Sequence, residues 1–296
     1  MSEFLQQLIN GISLGAIYAL IALGYTMVYG VLRFINFAHS DVLMIGAFIG
    51  FFAAPYFPKE SFAGGMGIMV VAMVGCAILG IVIEKLAYRP LRGRSTLNVL
   101  ITAIGVSLLL ENGMQLLFSA RPRAFPAIFP GEPVELAGMR ISPNQIAVLL
   151  ISIALLAALQ WIVLKTKIGT AMRAVSFNPG AASLVGVNND VVISFTFGLG
   201  SALAGAGGIL YSLNYPSVDP YMGIMPGLKA FVAAVLGGIG NIPGAALGGL
   251  VLGVIETFVG GSRFSTWRDA IAFAILILIL LVRPAGLLGK FQTEKV

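Results

Sequence analysis

The sequence predicts an all-α fold, a polytopic integral membrane helix bundle of about nine transmembrane segments (eight to ten), some of them short or discontinuous. Three observations predict it. Of 296 residues 58% are apolar and only 10% charged, with mean hydropathy +0.97, whereas a soluble domain carries about 25% charged residues. Apolar runs near 8–30, 42–57, 66–84, 97–118, 144–164, 191–213, 227–240, 243–260 and 269–282 alternate with charge or proline clusters. At roughly 20 residues per crossing these runs consume about 180 residues, so one transmembrane domain spans 1–296 and no second, soluble catalytic domain fits. A single Cys76 and a single His39 exclude a disulfide framework and a Cys/His metal site. No catalytic residue and no metal ligand is assigned.

The first run has no basic residue before it, since the first Lys or Arg is Arg33, and no small-residue cleavage site; it reads as a retained helix. Tyr88-Arg89-Pro90-Leu91-Arg92-Gly93-Arg94 holds three arginines and no acid, which places that loop in the cytoplasm. Alternation then puts 119–143 and 214–226 outside and 165–190 and the C-terminal tail inside. Eleven basic residues fall inside on this scheme: Arg33, Lys85, Arg89, Arg92, Arg94, Lys165, Lys167, Arg173, Arg283, Lys290 and Lys295. Six fall outside: Lys59, Arg121, Arg123, Arg140, Arg263 and Arg268, with Lys229 snorkelling at the outer end of a span. The N-terminus is expected outside and the C-terminus in the cytoplasm, with the +6 net charge collected in cytoplasmic loops rather than directed at nucleic acid. Keeping the basic tail inside requires residues 227–260 to cross twice, with a turn at Asn241-Ile242-Pro243-Gly244. The outer loop 119–143, with Pro122, Pro126, Pro130 and Pro133, reads as an irregular surface cap that either connects two helices or contacts a partner.

The 37 glycines need a reason in a protein that must be helical wherever lipid touches it. Gly11, Gly15 and Ala19, then Gly200, Ala204 and Gly208, then Gly240, Gly244, Gly248, Gly249 and Gly253, form small-xxx-small ridges for close helix packing. Two polar stretches mark candidate helix breaks at membrane depth: Asn36-Phe37-Ala38-His39-Ser40-Asp41 and Asn214-Tyr215-Pro216-Ser217-Val218-Asp219-Pro220. Non-helical backbone survives there only when protein or a cavity covers it. Asn36, Phe37, His39, Ser40, Asp41 and Asn214 are therefore candidates for a substrate pathway; for His39 a plain polar residue at a break is an equal reading. Glu111, Asn112 and Gln115, read as one polar stripe, and Glu256 are intramembrane polar residues, serving either as hydrogen-bonded glue between helices or in translocation.

The connection 165–190 is long for a helical bundle, and long ordered loops tend to be functional. Asn178 reads as an N-cap with Pro179 at the first helical position, Ala181-Ala182-Ser183-Leu184-Val185 as a short helix, and Gly186 as its stop. Such a helix can dock into a groove on another protein. Gly180-Ala181-Ala182-Ser183-Leu184-Val185-Gly186 resembles the EAA-xxx-G signature of ABC importer permeases, with Gly180 where the signature carries an acid. Tyr18-Ala19-Leu20-Ile21-Ala22-Leu23-Gly24, Asn36-Phe37-Ala38-His39, the stretch from Lys229 to Ala245, and Arg283-Pro284-Ala285-Gly286-Leu287 follow in order. Together they resemble the branched-chain amino acid ABC transporter permease family, its LivH-type inner-membrane subunit, over nearly the whole chain.

That resemblance implies an ATP-driven importer for branched-chain or related amino acids in a bacterial inner membrane. Its parts would be this chain, a second permease subunit, two cytoplasmic ATP-binding subunits and a periplasmic or lipid-anchored solute-binding protein. Asn178, Gly180, Ala181, Ala182, Leu184 and Gly186 would couple to the ATPases; Arg173 either pairs there with an acid of an ATPase or is a solvated loop charge, the two readings being equal. No cofactor is expected on this chain, which has no GxxxxGK[ST] phosphate loop; ATP and magnesium would sit on the partners. The chain is thus expected to be a transport subunit, not an enzyme, embedded in lipid. Two rival readings are an ion-coupled secondary carrier relying on Glu111 or Glu256, and a purely structural or scaffold membrane protein.

Overall fold

The computed structural model describes residues 2–59, 61–129, 131–136 and 138–289. Pro130, Lys290 and Lys295 lie outside the described residues. In chain order the helices are α1 (Ser2–Leu32), α2 (His39–Ala53), α3 (Phe62–Ile83), α4 (Thr96–Phe118), α5 (Pro143–Lys165), α6 (Lys167–Phe177), α7 (Pro179–Leu184), α8 (Asn189–Asn214), α9 (Ile224–Gly237), α10 (Ile242–Gly260) and α11 (Arg268–Val282). A π-turn, Glu84–Tyr88, and a 3-10 turn, Arg89–Leu91, extend α3. Four short strands, β1 (Arg123–Ala124), β2 (Val134–Leu136), β3 (Met139–Ile141) and β4 (Ser217–Val218), form two antiparallel pairs, β1 with β4 and β2 with β3.

Seven helices among the described residues are long and apolar enough to cross a membrane: α1, α3 with its extension, α4, α5, α8, α10, and α11 with the turn before it. The chain is a polytopic helical membrane protein. The two remaining apolar helices are α2, with 15 residues, and α9, with 14. At 1.5 Å per residue each spans only about 21–23 Å of a roughly 30 Å hydrocarbon layer.

Helix α1 is apolar all round and almost wholly enclosed, with 94% of its apolar window buried, as a helix at the centre of a bundle must be. Its main partner is α10, and glycine sets the distance between them. A Cβ on Gly11 would stand 2.8 Å from the Val254 Cα, and one on Gly15 would stand 2.7 Å from the Leu250 Cα. On the other side, Gly249 and Gly253 face the backbone of Ala19 and Gly15. In lipid, helix association draws on this close backbone packing, because no water is released to drive it. Helix α8 packs in the same way on α1, α2 and α3, with Gly200 facing Gly24, Gly208 facing Leu43 and Gly205 facing Ala72 and Cys76.

Gly240 does not belong to a packing ridge. It takes φ +91° in the turn between α9 and α10, after Gly238 at φ +102°, so the reversal lies at residues 238–240. Asn241 instead caps α10, accepting from the Gly244 amide at 3.1 Å. The stretch after α11 closes over this turn: Leu287 N donates to Leu236 O at 2.8 Å, Leu288 N to Gly237 O at 3.0 Å, and Asn241 Nδ2 to Leu288 O at 2.7 Å. These contacts satisfy carbonyls that the end of α9 leaves without helical partners.

Two further expectations change. The connection 165–190 holds two helices, α6 and α7, because Thr166 caps a first helix, its Oγ1 accepting from the Gly169 amide at 3.1 Å. The segment 119–143 is not irregular throughout: it contributes the β2–β3 hairpin and pairs with β4, and Phe125, Ile128 and Phe129 are buried in the bundle.

Candidate functional site

The first candidate break is real, and its backbone chemistry is local. Arg33 adopts φ +56°, a left-handed conformation that ends α1. Residues 33–38 then run without helix back into the bundle, and α2 begins at His39, whose ring lies against Gly24. Gly24 is eight positions before the end of α1, about 12 Å along it. The returning segment is covered by protein: Asn36, Ala38, His39 and Asp41 are all buried. Tyr88 Oη donates to Asn36 Oδ1 at 2.6 Å, and Ser40 Oγ donates to Phe37 O at 3.0 Å. The Phe37 ring meets Phe231 at a tilt, with centroids 6.2 Å apart, and Tyr25 meets His39 edge-on at 4.8 Å.

The second break, residues 215–223, returns in the same manner from the opposite end of the bundle and leads into α9. The two short helices meet at their first turns. A side chain at Gly223 would collide with Ser40 O, and one at Gly227 with Ser40 Cβ, so glycine at both places lets α9 start against Ser40. Of the residues read as pathway candidates, Asn36, Phe37, His39, Ser40 and Asp41 lie together at this junction. Asn214 does not: it is the exposed last residue of α8, beside Leu213, whose carbonyl accepts from Asn144 Nδ2 at 3.4 Å.

The polar stripe on α4 is Ser107, Glu111 and Gln115, one turn apart. Asn112 leaves it: Asn112 is exposed and its Nδ2 donates to its own helix, to Leu108 O at 2.7 Å. The Asp41 carboxylate on α2 faces Ser107 and Glu111, and Tyr221 Oη donates to Gln115 Oε1 at 2.7 Å.

Glu256 has a different environment. Lys229 Nζ lies 2.7 Å from its Oε1 and 2.6 Å from Asp269 Oδ1, and Arg268 Nε lies 3.0 Å from the same Glu256 oxygen. Lys229 is 3% exposed and does not snorkel. Because α9 starts inside the bundle instead of at its surface, the ammonium is enclosed and needs anions of its own. The signal available in the sequence was the opposite charge of Lys229 and Glu256 on two consecutive short apolar runs.

At the far end of the bundle, Glu84, fully buried in the π-turn after α3, pairs with Arg92 and accepts from Ser194 of α8 at 2.5 Å. Arg92 and Arg89 both reach Asp190 at the start of α8. Helix α7 lies next to this cluster, since Asn189 Nδ2 donates to Pro179 O at 2.8 Å. Its cap is the one the sequence announces: Asn178 Oδ1 accepts from Ala181 N at 3.0 Å, and Gly186 turns the chain at φ +86°. Ala182 points inward at 3% exposure, while Phe177, Leu184 and Val185 are 90%, 89% and 79% exposed. Gly180, Ala181 and Gly186 are on the surface as well. Arg173, exposed on α6, donates to Val163 O and to Thr170 Oγ1, closing the end of α5. The sequence reading gave no site role to Tyr88, Ser107 and Asp190, which acquire their partners only across elements far apart in sequence.

Among the described residues no group of three or more His, Cys, Asp or Glu side chains is placed to hold a metal ion. The family described as branched-chain amino acid transport system / permease component matches residues 7–280. The chain is 41% identical over 302 residues to the high-affinity branched-chain amino acid transport system permease protein BraD of Pseudomonas aeruginosa, covering 99% of this chain and 98% of that protein. It is 41% identical over 301 residues to the permease protein LivH of the corresponding system in Escherichia coli K12, with the same coverage. A probable LivH of Methanocaldococcus jannaschii is 28% identical over 292 residues, 91% of this chain and 88% of that one. None of these names supports an ion-coupled carrier, and Glu256, one of the two residues on which that reading relied, is already paired with Lys229 and Arg268. With its helical membrane architecture and a match over nearly all its length, the chain belongs to the branched-chain amino acid permease family and is a membrane transport component, not an enzyme.

Proposed function

We propose that this chain is the permease subunit through which branched-chain or related amino acids enter the cell in an ATP-driven importer. The observation that carries the reading is the surface around α7: a six-residue helix, capped at both ends, that holds Ala182 inward and exposes Leu184, with Val185 just after it and Phe177 at the end of α6 exposed as well. An apolar knob on a polar end of a membrane protein is a docking element for a partner. The sequence has no phosphate loop, so a partner must supply the energy.

On this reading the whole chain is one permease domain, 165–190 is its coupling loop, and that end is cytoplasmic. The N-terminus and the β2–β3 hairpin face outward, towards a solute-binding protein. One of two ATPases engages Asn178, Gly180, Ala181, Leu184 and Gly186, with Ala182 and Arg173 holding the loop in place, and ATP and magnesium bind on the ATPases. A second permease completes the pathway, which runs past Asn36, Phe37, His39, Ser40 and Asp41. Closure of the ATPases pulls on α7, and the Glu84–Arg92–Asp190 cluster passes the motion to α3 and α8.

The test is purification of the C-terminally tagged chain from its own host in mild detergent, followed by mass spectrometry and reconstitution. Recovery of ATPases and a second permease, with ATP-dependent leucine uptake into vesicles, is the expected result. Recovery of the chain alone, under conditions that keep other such complexes intact, overturns it.

A further inference from the structure

The acids of this bundle fall into two groups. Glu84 is paired with Arg92, and Glu256 with Lys229 and Arg268. Asp41 and Glu111 face each other and, among the described residues, neither is in a salt bridge. Asp41 is 1% exposed, its carboxylate faces the α4 stripe, and its Oδ2 has no hydrogen-bond partner. Two adjoining carboxylates without a cation are expensive at membrane depth, and the fold places them at the break where α2 begins.

The buried and half-buried cations among the described residues are committed elsewhere: Lys229 to Glu256 and Asp269, Arg268 to Glu256, Arg92 to Glu84 and Asp190, and Arg123 to the Phe118 carbonyl and the rings of Phe51, Phe52 and Phe118. Two carboxylates and one hydroxyl are too few hard ligands for Ca²⁺, which takes six to eight oxygens. They suit a primary ammonium, whose three N–H donors can be met by Asp41, Glu111 and the Ser107 hydroxyl. The same face of α4 continues towards the surface. Gln115 stands one turn beyond Glu111 and accepts from Tyr221, which is exposed on the segment before α9. Helix α4 is also the loosely held wall, with only 11% of its apolar window buried and its main packing against α2 and the π-turn.

We infer that Asp41 and Glu111, with Ser107, form a transient binding site for the α-ammonium group of the amino acid in transit. The inference rests on the importer reading above and deepens it. The permease thus contributes its own selection for a positively charged amino group, and the aliphatic side chain is left to the apolar walls.

The experiment uses the complete transporter with its ATPases in lipid nanodiscs, without binding protein, and tritiated leucine. The competitors are 3-methylbutylamine, which keeps the ammonium and loses the carboxylate, and 4-methylpentanoate, which does the reverse. The amine is expected to displace leucine at concentrations where the acid does not. Asp41→Asn and Glu111→Gln, each checked for retention of the ATPases, are expected to weaken leucine binding by about tenfold or more, and Ser107→Ala less. Equal displacement by both competitors, undiminished affinity in both carboxylate variants, or no saturable leucine binding by the wild type overturns the inference. The competitor comparison needs no variant to fold. In parallel, failure of the wild-type complex, reconstituted in sealed vesicles with its binding protein, to take up leucine with ATP counts against the importer reading itself, whereas intact vesicle uptake with unchanged nanodisc binding by the variants counts against the site alone.

Discussion

Lys229 and Glu256 are 27 residues apart in sequence and 2.7 Å apart in the fold, both almost fully enclosed. The pair joins α9 to α10, and Asp269 and Arg268 draw α11 into the same network. Removing one partner leaves the other with a single, partly exposed counter-charge, Arg268 for Glu256 or Asp269 for Lys229, so the cost should fall below the roughly 3–5 kcal/mol of a wholly uncompensated buried charge. Lys229→Met and Glu256→Gln should each lower the thermal unfolding temperature of the purified protein markedly. The double variant should recover most of the loss, and a double variant no more stable than either single one would count against the pairing.

The cluster near α7 separates buried from exposed ion pairs within one network. Arg89 and Asp190 are each nearly half exposed, whereas Arg92 reaches the fully buried Glu84. Arg89→Ala is expected to cost at most about 1 kcal/mol and Arg92→Ala about 3–5 kcal/mol. Denaturation midpoints at low and high salt would show it: the Arg89 contribution fades with salt and the Arg92 contribution persists.

Helix α7 allows two failures to be told apart. Leu184→Asp changes only its exposed surface, so the chain should insert and unfold normally yet lose its ATPases in a pull-down. Ala182→Arg places a long cation where 3% exposure leaves no room; it should dislodge the helix and expose the 165–190 segment to protease as well. Normal ATPase recovery with Leu184→Asp would argue against a docking role for this surface.

Close packing of α1 on α10 predicts intolerance at Gly15. A Cβ there would stand 2.7 Å from the Leu250 Cα and 2.9 Å from the Gly249 oxygen, and backbone cannot yield as a side chain does. Gly15→Val should destabilise by at least about 1–3 kcal/mol. At Gly105, where a Cβ would meet nothing within 4 Å, Ala should be neutral or slightly stabilising because α4 gains helix propensity. Thermal melts of the two variants test the contrast.

Tyr88 holds the break at Asn36 by a 2.6 Å hydrogen bond. Tyr88→Phe keeps the packing against Phe34 and Phe197 and should cost about 0.5–1.5 kcal/mol. Transport should fall by more than stability does if the break moves during the cycle, and vesicle uptake set beside a melt reads both.

The sequence by itself determined the class of the protein and much of its local structure. Apolar runs sustained for a membrane thickness leave the backbone no choice but helix, so the positions of the long spans were legible. Capping is also local: Asn178-Pro179 with Gly186 announces α7, and Asn36 to Asp41 announces a break, because the groups involved lie within a few bonds of one another. What only the tertiary structure decided is how charges and breaks combine. Lys229 looked like a snorkelling end residue until α9 proved to start inside the bundle, and Asn112 looked like part of a stripe until its side chain bonded to its own helix. That both breaks meet at Ser40, and that Asp41 faces Glu111 without a cation while Glu256 has two, depends on helices far apart in sequence. Electrostatic pairing in a low dielectric acts over ångströms of space, and the distance along the chain between Lys229 and Glu256 carries no record of it.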